Sequence, residues 1–230
     1  MKARTISLLC VAALMGAAIV GSPADAKPKK KGPVVMGTDA PDDWGTNADP
    51  TLAPAGGPLG QELVEASIEQ IDPKTLEFVI KVAELPPTGG IPEFTRYLWV
   101  IMVDSELFQI DGRFTNYHRG VCDPTAGTCP PPRDPGMAPF LIRTNCVNAT
   151  AAVTCDEKGI VNGTFDSASG TISVPVPIEM LGAKRGTKIT NGTQADSGFS
   201  GVLAIPSAWA SQASMPSDTL ILVKTFVVGK

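Results

Sequence analysis

From Leu76 to Val82 the chain reads Leu-Glu-Phe-Val-Ile-Lys-Val, so Leu76, Phe78, Ile80 and Val82 fall on one side of an extended backbone and Glu77, Val79 and Lys81 on the other. A period of two belongs to a strand with one buried face, and no helix can use it. The same logic extends in both directions. Val64, Ala66 and Ile68 share a face of a preceding strand, separated by the turn Ile71-Asp72-Pro73-Lys74, in which proline fixes one backbone angle. After the breaker Leu85-Pro86-Pro87-Thr88-Gly89-Gly90, residues 94–103 are apolar on both sides and include Tyr97, Trp99, Val100 and Ile101. That run predicts a central strand covered on both faces. Residues 107–114 would return beside it across Asp104-Ser105-Glu106.

Further strands are expected at 160–165, 171–176, 188–191, 198–205 and 219–228, with turn signals at Ser167-Ala168-Ser169-Gly170 and Asn191-Gly192. Residues 177–181 predict one helical turn, stopped by Gly182. Short strands spaced by Gly/Pro turns, with almost no helical period, predict an all-β fold: an antiparallel, jelly-roll-like β-sandwich.

Three regions depart from this pattern. Residues 1–26 have the layout of a cleaved secretory signal: Lys2 and Arg4, an uncharged apolar run over 6–20, the breaker Gly21-Ser22-Pro23, and Ala24-Asp25-Ala26 for the peptidase. The run is short for a membrane span, which needs ~20 residues. Ser7-Leu8-Leu9 before Cys10 makes a poor lipid-attachment motif. Residues 27–60 begin with the basic Lys27-Pro28-Lys29-Lys30-Lys31 and continue rich in Pro, Gly, Ala and Asp. They predict an extended arm, with the single sandwich domain at 61–230. Residues 116–156 hold four cysteines and Pro130-Pro131-Pro132, and predict a long stapled excursion with one strand at 140–144.

Export decides how the cysteines are read. Cys122, Cys129, Cys146 and Cys155 stay with the mature chain, and an even number in an oxidising compartment predicts two disulfides. Of the three possible pairings, Cys122–Cys129 and Cys146–Cys155 close the shortest loops. Spacings of seven and nine residues do not suit a zinc knuckle. The formal charge of −4, or −5 without residues 1–26, gives no general attraction to nucleic acid, and no anchor spans a membrane after cleavage.

Candidate chemistry is sparse. His118 is the one histidine, and no nucleophile elbow accompanies it. Asp39, Asp42, Asp43 and Asp49, with Asn47 among them, have the ligand types calcium takes, although not the spacing of an EF-hand; the reading is a solvated acidic arm and no cofactor, with a weak calcium site as the alternative. Trp44 and Trp209 lie in loop-like surroundings that suit sugar stacking, whereas Trp99 belongs to the core. Glu93, Asp104, Glu106 and Asp111 flank the central strand pair, and nothing selects two of them for glycoside hydrolysis. Asn148, Asn162 and Asn191 begin Asn-x-Thr triplets, read here as turns.

The order of strands and turns also resembles a known module. Leu63-Val64-Glu65-Ala66-Ser67-Ile68 is followed by residues 76–82, Leu85, Tyr97-Leu98-Trp99-Val100, then Gly170-Thr171-Ile172-Ser173-Val174-Pro175, Leu181-Gly182 and Gly186. This resembles a β-sandwich module of secreted bacterial, especially actinobacterial, proteins, broadly like DOMON and family-9-type carbohydrate-binding domains. The resemblance implies fold more than chemistry, with sugar, haem or surface binding as associated roles. For haem, His118 with Met102 or Met180 makes no axial-ligand motif. The expectation is therefore an exported, non-catalytic binding protein, secreted or held at the cell envelope. Its partner would be wall polysaccharide or another envelope protein, met by residues 116–156. The alternatives are a secreted carboxylate-dependent glycoside hydrolase and a structural wall protein without a ligand.

Overall fold

In the computed structural model, residues 32–39, 62–85, 95–113, 137–149, 152–194, 198–206 and 218–230 are described. All of them lie in one unit, Lys31–Lys230. The strands are β1 (Val34–Thr38), β2 (Leu63–Asp72), β3 (Thr75–Val82), β4 (Thr95–Val103), β5 (Glu106–Arg113), β6 (Met137–Ala149), β7 (Ala152–Asp166), β8 (Thr171–Pro177), β9 (Lys188–Asn191), β10 (Gly201–Pro206), β11 (Asp218–Leu220) and β12 (Phe226–Val227). Every pairing is antiparallel. The one helical piece among the described residues is the 3-10 turn Ile178–Leu181, closed by Gly182 in the left-handed region (φ 59°).

The alternation that opened the sequence reading sets the core. Leu76, Phe78, Ile80 and Val82 are all buried, and β8 brings Val176, Val174 and Ile172 opposite the first three. On β2, Ala66 and Ile68 face inward as expected. Val64 does not, because a bulge between Leu63 and Glu65 shifts the phase and buries Leu63 instead. The central strand is β4. Tyr97, Trp99, Ile101 and Val103 enter the main core. Leu98 and Val100 enter a second cluster with Leu203, flanked by Leu107, Phe199 and Ile205. Trp99 is fully buried, edge-on to Phe78 at 5.3 Å.

The sheet runs β1-β2-β3-β8-β7-β6-β5-β4-β10-β11, with β9 on the other half of β4 and β12 on β9. Strands β9 and β10 lie end to end along β4, because Ile101 pairs with Asn191 and Val100 with Gly201. Between them, Thr193 and Ser200 form an antiparallel bridge. The two ends of the sheet then meet. Val223 N and Lys224 N donate to Met36 O at 2.8 and 3.2 Å, and a Cβ on Gly37 would lie 2.5 Å from Ile221 O. The result is an all-β, nearly closed arrangement between a barrel and a sandwich.

Three expectations are corrected. The arm 27–60 contains β1, which pairs with β2 and buries Met36, so the fold begins well before residue 61. In the excursion 116–156, the described residues 137–149 and 152–156 are strand, where one strand at 140–144 was expected. From Met137 onward it is one long hairpin, β6–β7, paired from Met137–Thr164 to Ala149–Ala152. The expected last strand, 219–228, is two short strands, since residues 221–225 leave β10 to meet β1.

Candidate functional site

The second side of β4 and its neighbours carries the densest polar construction among the described residues. Register places Val100, Gln109 and Arg143 in one row across β4, β5 and β6, and Leu98, Asp111 and Leu141 in the next. Arg96 lies two residues before Leu98 on the same face. Alternation along β5 produces this: Phe108 and Ile110 enter the main core, so Gln109 and Asp111 must point to the other side. That side is closed off, with Leu98 and Val100 fully buried, Asp111 1% exposed, Gln109 2% and Arg143 7%.

A buried carboxylate needs charged partners, and Asp111 has two. Arg96 donates from Nε to Oδ1 at 2.5 Å and from Nη2 to Oδ2 at 3.0 Å, a two-point fork. Arg143 donates to Oδ2 through Nη2. Three strands are thereby cross-linked through one side chain.

Beside this group, Gln109 Nε2 donates to Gln194 Oε1 at 2.5 Å. Gln194 lies between β9 and β10, next to the Thr193–Ser200 bridge, where its N–H bonds Phe199 O and its carbonyl accepts from Gly198 N. Phe199 packs on the Leu98–Val100–Leu203 cluster. The amide pair is half satisfied, since Gln109 Oε1 and Gln194 Nε2 have no hydrogen-bond partner. Turning both amides over leaves one oxygen and one NH2 group in the same position.

A second group sits where the sheet ends meet. Asp218 is 3% exposed, and its carboxylate accepts from Leu63 N at 2.5 Å and Thr219 N at 2.8 Å. Burial pushes its pKa up to about 7, and the carboxylates of Asp39 and Glu62 add to the rise.

The expected site residues distribute as follows. Cys146 and Cys155 are bonded, at the far end of the β6–β7 hairpin. Cys122, Cys129, Asp42, Asp43, Asp49, Trp44, Trp209 and His118 lie outside the described residues. Asp39 stands with Glu62 and Asp218, and no group of three or more metal-ligating side chains is formed among the described residues. Asp104 accepts from Lys188 N, Glu106 from Thr144, and Asp111 holds its two arginines; Glu93 lies outside the described residues. Met180 lies against Gly159. Arg96, Gln109, Arg143 and Gln194 were not singled out by sequence, although a signal existed. If β4 is covered on both sides, polar residues of its neighbour that share its second face must be buried and paired.

No helix among the described residues is long and apolar enough to cross a membrane. Compared with models of protein families, with curated proteins and with solved structures, the chain finds no match.

Proposed function

We propose that the chain is an exported, non-catalytic binding protein of the cell envelope or extracellular space, with wall polysaccharide as its partner. Recognition is assigned to the rim of the β4–β5–β6 face, where the side chains of Arg96 and Arg143 are 14% and 8% exposed, the rest of that face being closed off. The observation that carries this is the buried polar layer Arg96–Asp111–Arg143 with Gln109–Gln194. A sheet face built only for stability has no need of two guanidiniums and two half-satisfied amides, because apolar side chains of the same volume serve that end as well or better. Export is supported by the pattern of residues 1–26 and by the Cys146–Cys155 bridge, a bond that persists in oxidising compartments.

One observation favours the hydrolase instead. Asp218, with a pKa near 7 beside Asp39 and Glu62, has the protonation behaviour of a general acid. Its oxygens are engaged by backbone N–H groups and it is enclosed, which suits a strand junction better than a cleft. Retention of the purified protein on insoluble wall polysaccharide, beside release of reducing sugar from the same material, separates the two. The expected result is retention that Arg143→Ala weakens, with no sugar released. Sugar release abolished by Asp218→Asn would replace the binding reading with the hydrolase. Neither retention nor release would refute both.

A further inference from the structure

We infer that the seam where the two ends of the sheet meet is a proton-operated latch. It stays closed while the Asp39–Glu62–Asp218 group holds a proton, and it opens locally, with the rest of the sheet intact, when that proton leaves. Among the described residues no ladder joins the two ends: β1 pairs with β2, and β11 with β10. The seam is crossed instead by the bonds of Val223 N and Lys224 N to Met36 O and of Leu63 N to Asp218 Oδ2. The strands that meet are short, five residues in β1 and three in β11, and short elements with few ladder bonds open before the rest. Opening uncovers Met36, Leu63, Leu220 and Leu222, all buried in the closed form. The charges that bear on Asp218, those of Asp39 and Glu62, have its own sign. Strands β10 and β1 carry no ionisable side chain, and Asp39 directly follows β1. Strand β2 is preceded by Glu62; its Glu65 stands opposite Lys81, and Glu69 and Asp72 lie farther along it. The closing segment 221–225 adds Lys224, which is exposed. Losing the proton therefore leaves three carboxylates together with Asp218 enclosed, and opening hydrates it. Asp218 titrates near 7 in the closed seam and near 3.8 in water. Between those values opening releases a proton, so the open population rises with pH and levels off above about 7.

The test is native-state hydrogen exchange of the purified protein in EDTA, read amide by amide from about pH 5 to about pH 9, each rate divided by that of an unstructured chain at the same pH. The amides of Leu63, Val223 and Lys224 should exchange faster than those of Phe78, Ile80 and Val174 throughout. Their normalised rates should rise roughly tenfold or more in all between about pH 5 and pH 7, then level off. Urea at about 1 M should leave the seam amides unchanged and speed those of β3 and β8, because a local opening exposes little surface. In Asp218→Asn, which keeps an oxygen for Leu63 N, the seam amides should lose the rise with pH. A seam that is flat with pH in the parent would overturn the latch. So would seam amides as sensitive to urea as those of β3 and β8, since the opening would then be global. A rise with pH that survives in Asp218→Asn would overturn its assignment to this carboxylate group. Should that variant fail to fold, the pH and urea dependences of the parent protein decide the matter without it.

Discussion

Single side chains here are fixed by what lies against them, and two positions show how. Phe140 lies flat over glycines of both neighbouring strands. A Cβ on Gly112 would sit 2.4 Å from its Cε1, and one on Gly163 2.3 Å from its Cε2. The ring also stacks on Phe165 at 6.5 Å. Gly163→Ala should therefore destabilise by about 1–3 kcal/mol, as overpacking does. Adding Phe140→Leu should recover part of that loss, because the two positions share one space. Denaturant unfolding of the single and double variants checks both statements. Asp111 is the second position. Asp111→Ala strands two guanidiniums in a buried layer and should cost about 3–5 kcal/mol. The triple change Arg96→Met, Asp111→Leu, Arg143→Met removes the charges together and should be near neutral by the same measurement. A triple variant as unstable as Asp111→Ala would show that the layer is there for stability, which would remove the main support for the binding reading.

At the scale of elements, the β6–β7 hairpin is the piece that runs furthest beyond its neighbours. Strand β5 covers β6 only as far as Thr144, and β8 covers β7 only from Thr164 onward. Past Thr144, among the described residues, the two strands have each other, the Asn145 Nδ2 bond to Asp156 and the Cys146–Cys155 bridge. Removing the bridge with Cys146→Ser and Cys155→Ser should loosen this end alone, at about 1–3 kcal/mol. Hydrogen exchange should quicken from residue 144 to residue 157 while β3 and β8 stay protected; equal loss across the sheet would contradict a local role. This hairpin also shows why the sequence was only partly legible. Strands β3 and β8 announce themselves, because one face is apolar and the other polar. Residues 137–166 do not. Pro139, Gly159 and Gly163 look like breaks, yet Gly163 is a packing glycine under Phe140, and Gly159, with φ 144°, sits where the register shifts. Strand β1 was hidden because five residues beside Pro- and Gly-rich sequence give too short a pattern, and its pairing with β2 spans some thirty residues of chain. Of the face proposed for binding, the strands were legible and the polar layer was not. Gln109 and Asp111 alternate as surface residues would, and only the second cover over β4 turns them inward.

The whole molecule depends on how its sheet ends meet, and that junction is acidic. Asp218 on β11 accepts the N–H of Leu63 on β2, next to Asp39 after β1 and Glu62 before β2. In the unfolded chain Asp218 titrates near 3.8, and in the fold near 7. Between those values the native state binds more protons than the unfolded one, so stability falls as pH rises. The contribution is fully present below the unfolded value and gone above about pH 7. Roughly 3 kcal/mol is at stake, discounted from the full linkage for solvent screening. Asp72 and Asp166 act with the opposite sign. Each is held below its ordinary value, Asp72 foremost by the N–H of Lys74 and Asp166 by the hydroxyl of Ser169, and their contribution is lost only in stronger acid. Thermal unfolding should therefore give its highest midpoint near pH 4–5, with a decline toward pH 8 that belongs to Asp218 and a separate decline below pH 4 that does not. Asp218→Asn should flatten the first limb and leave the second. Asp39→Asn should move the first limb to lower pH, since it removes a like charge from the junction. A first limb unchanged in both variants would mean that the closure of the sheet does not hang on this carboxylate.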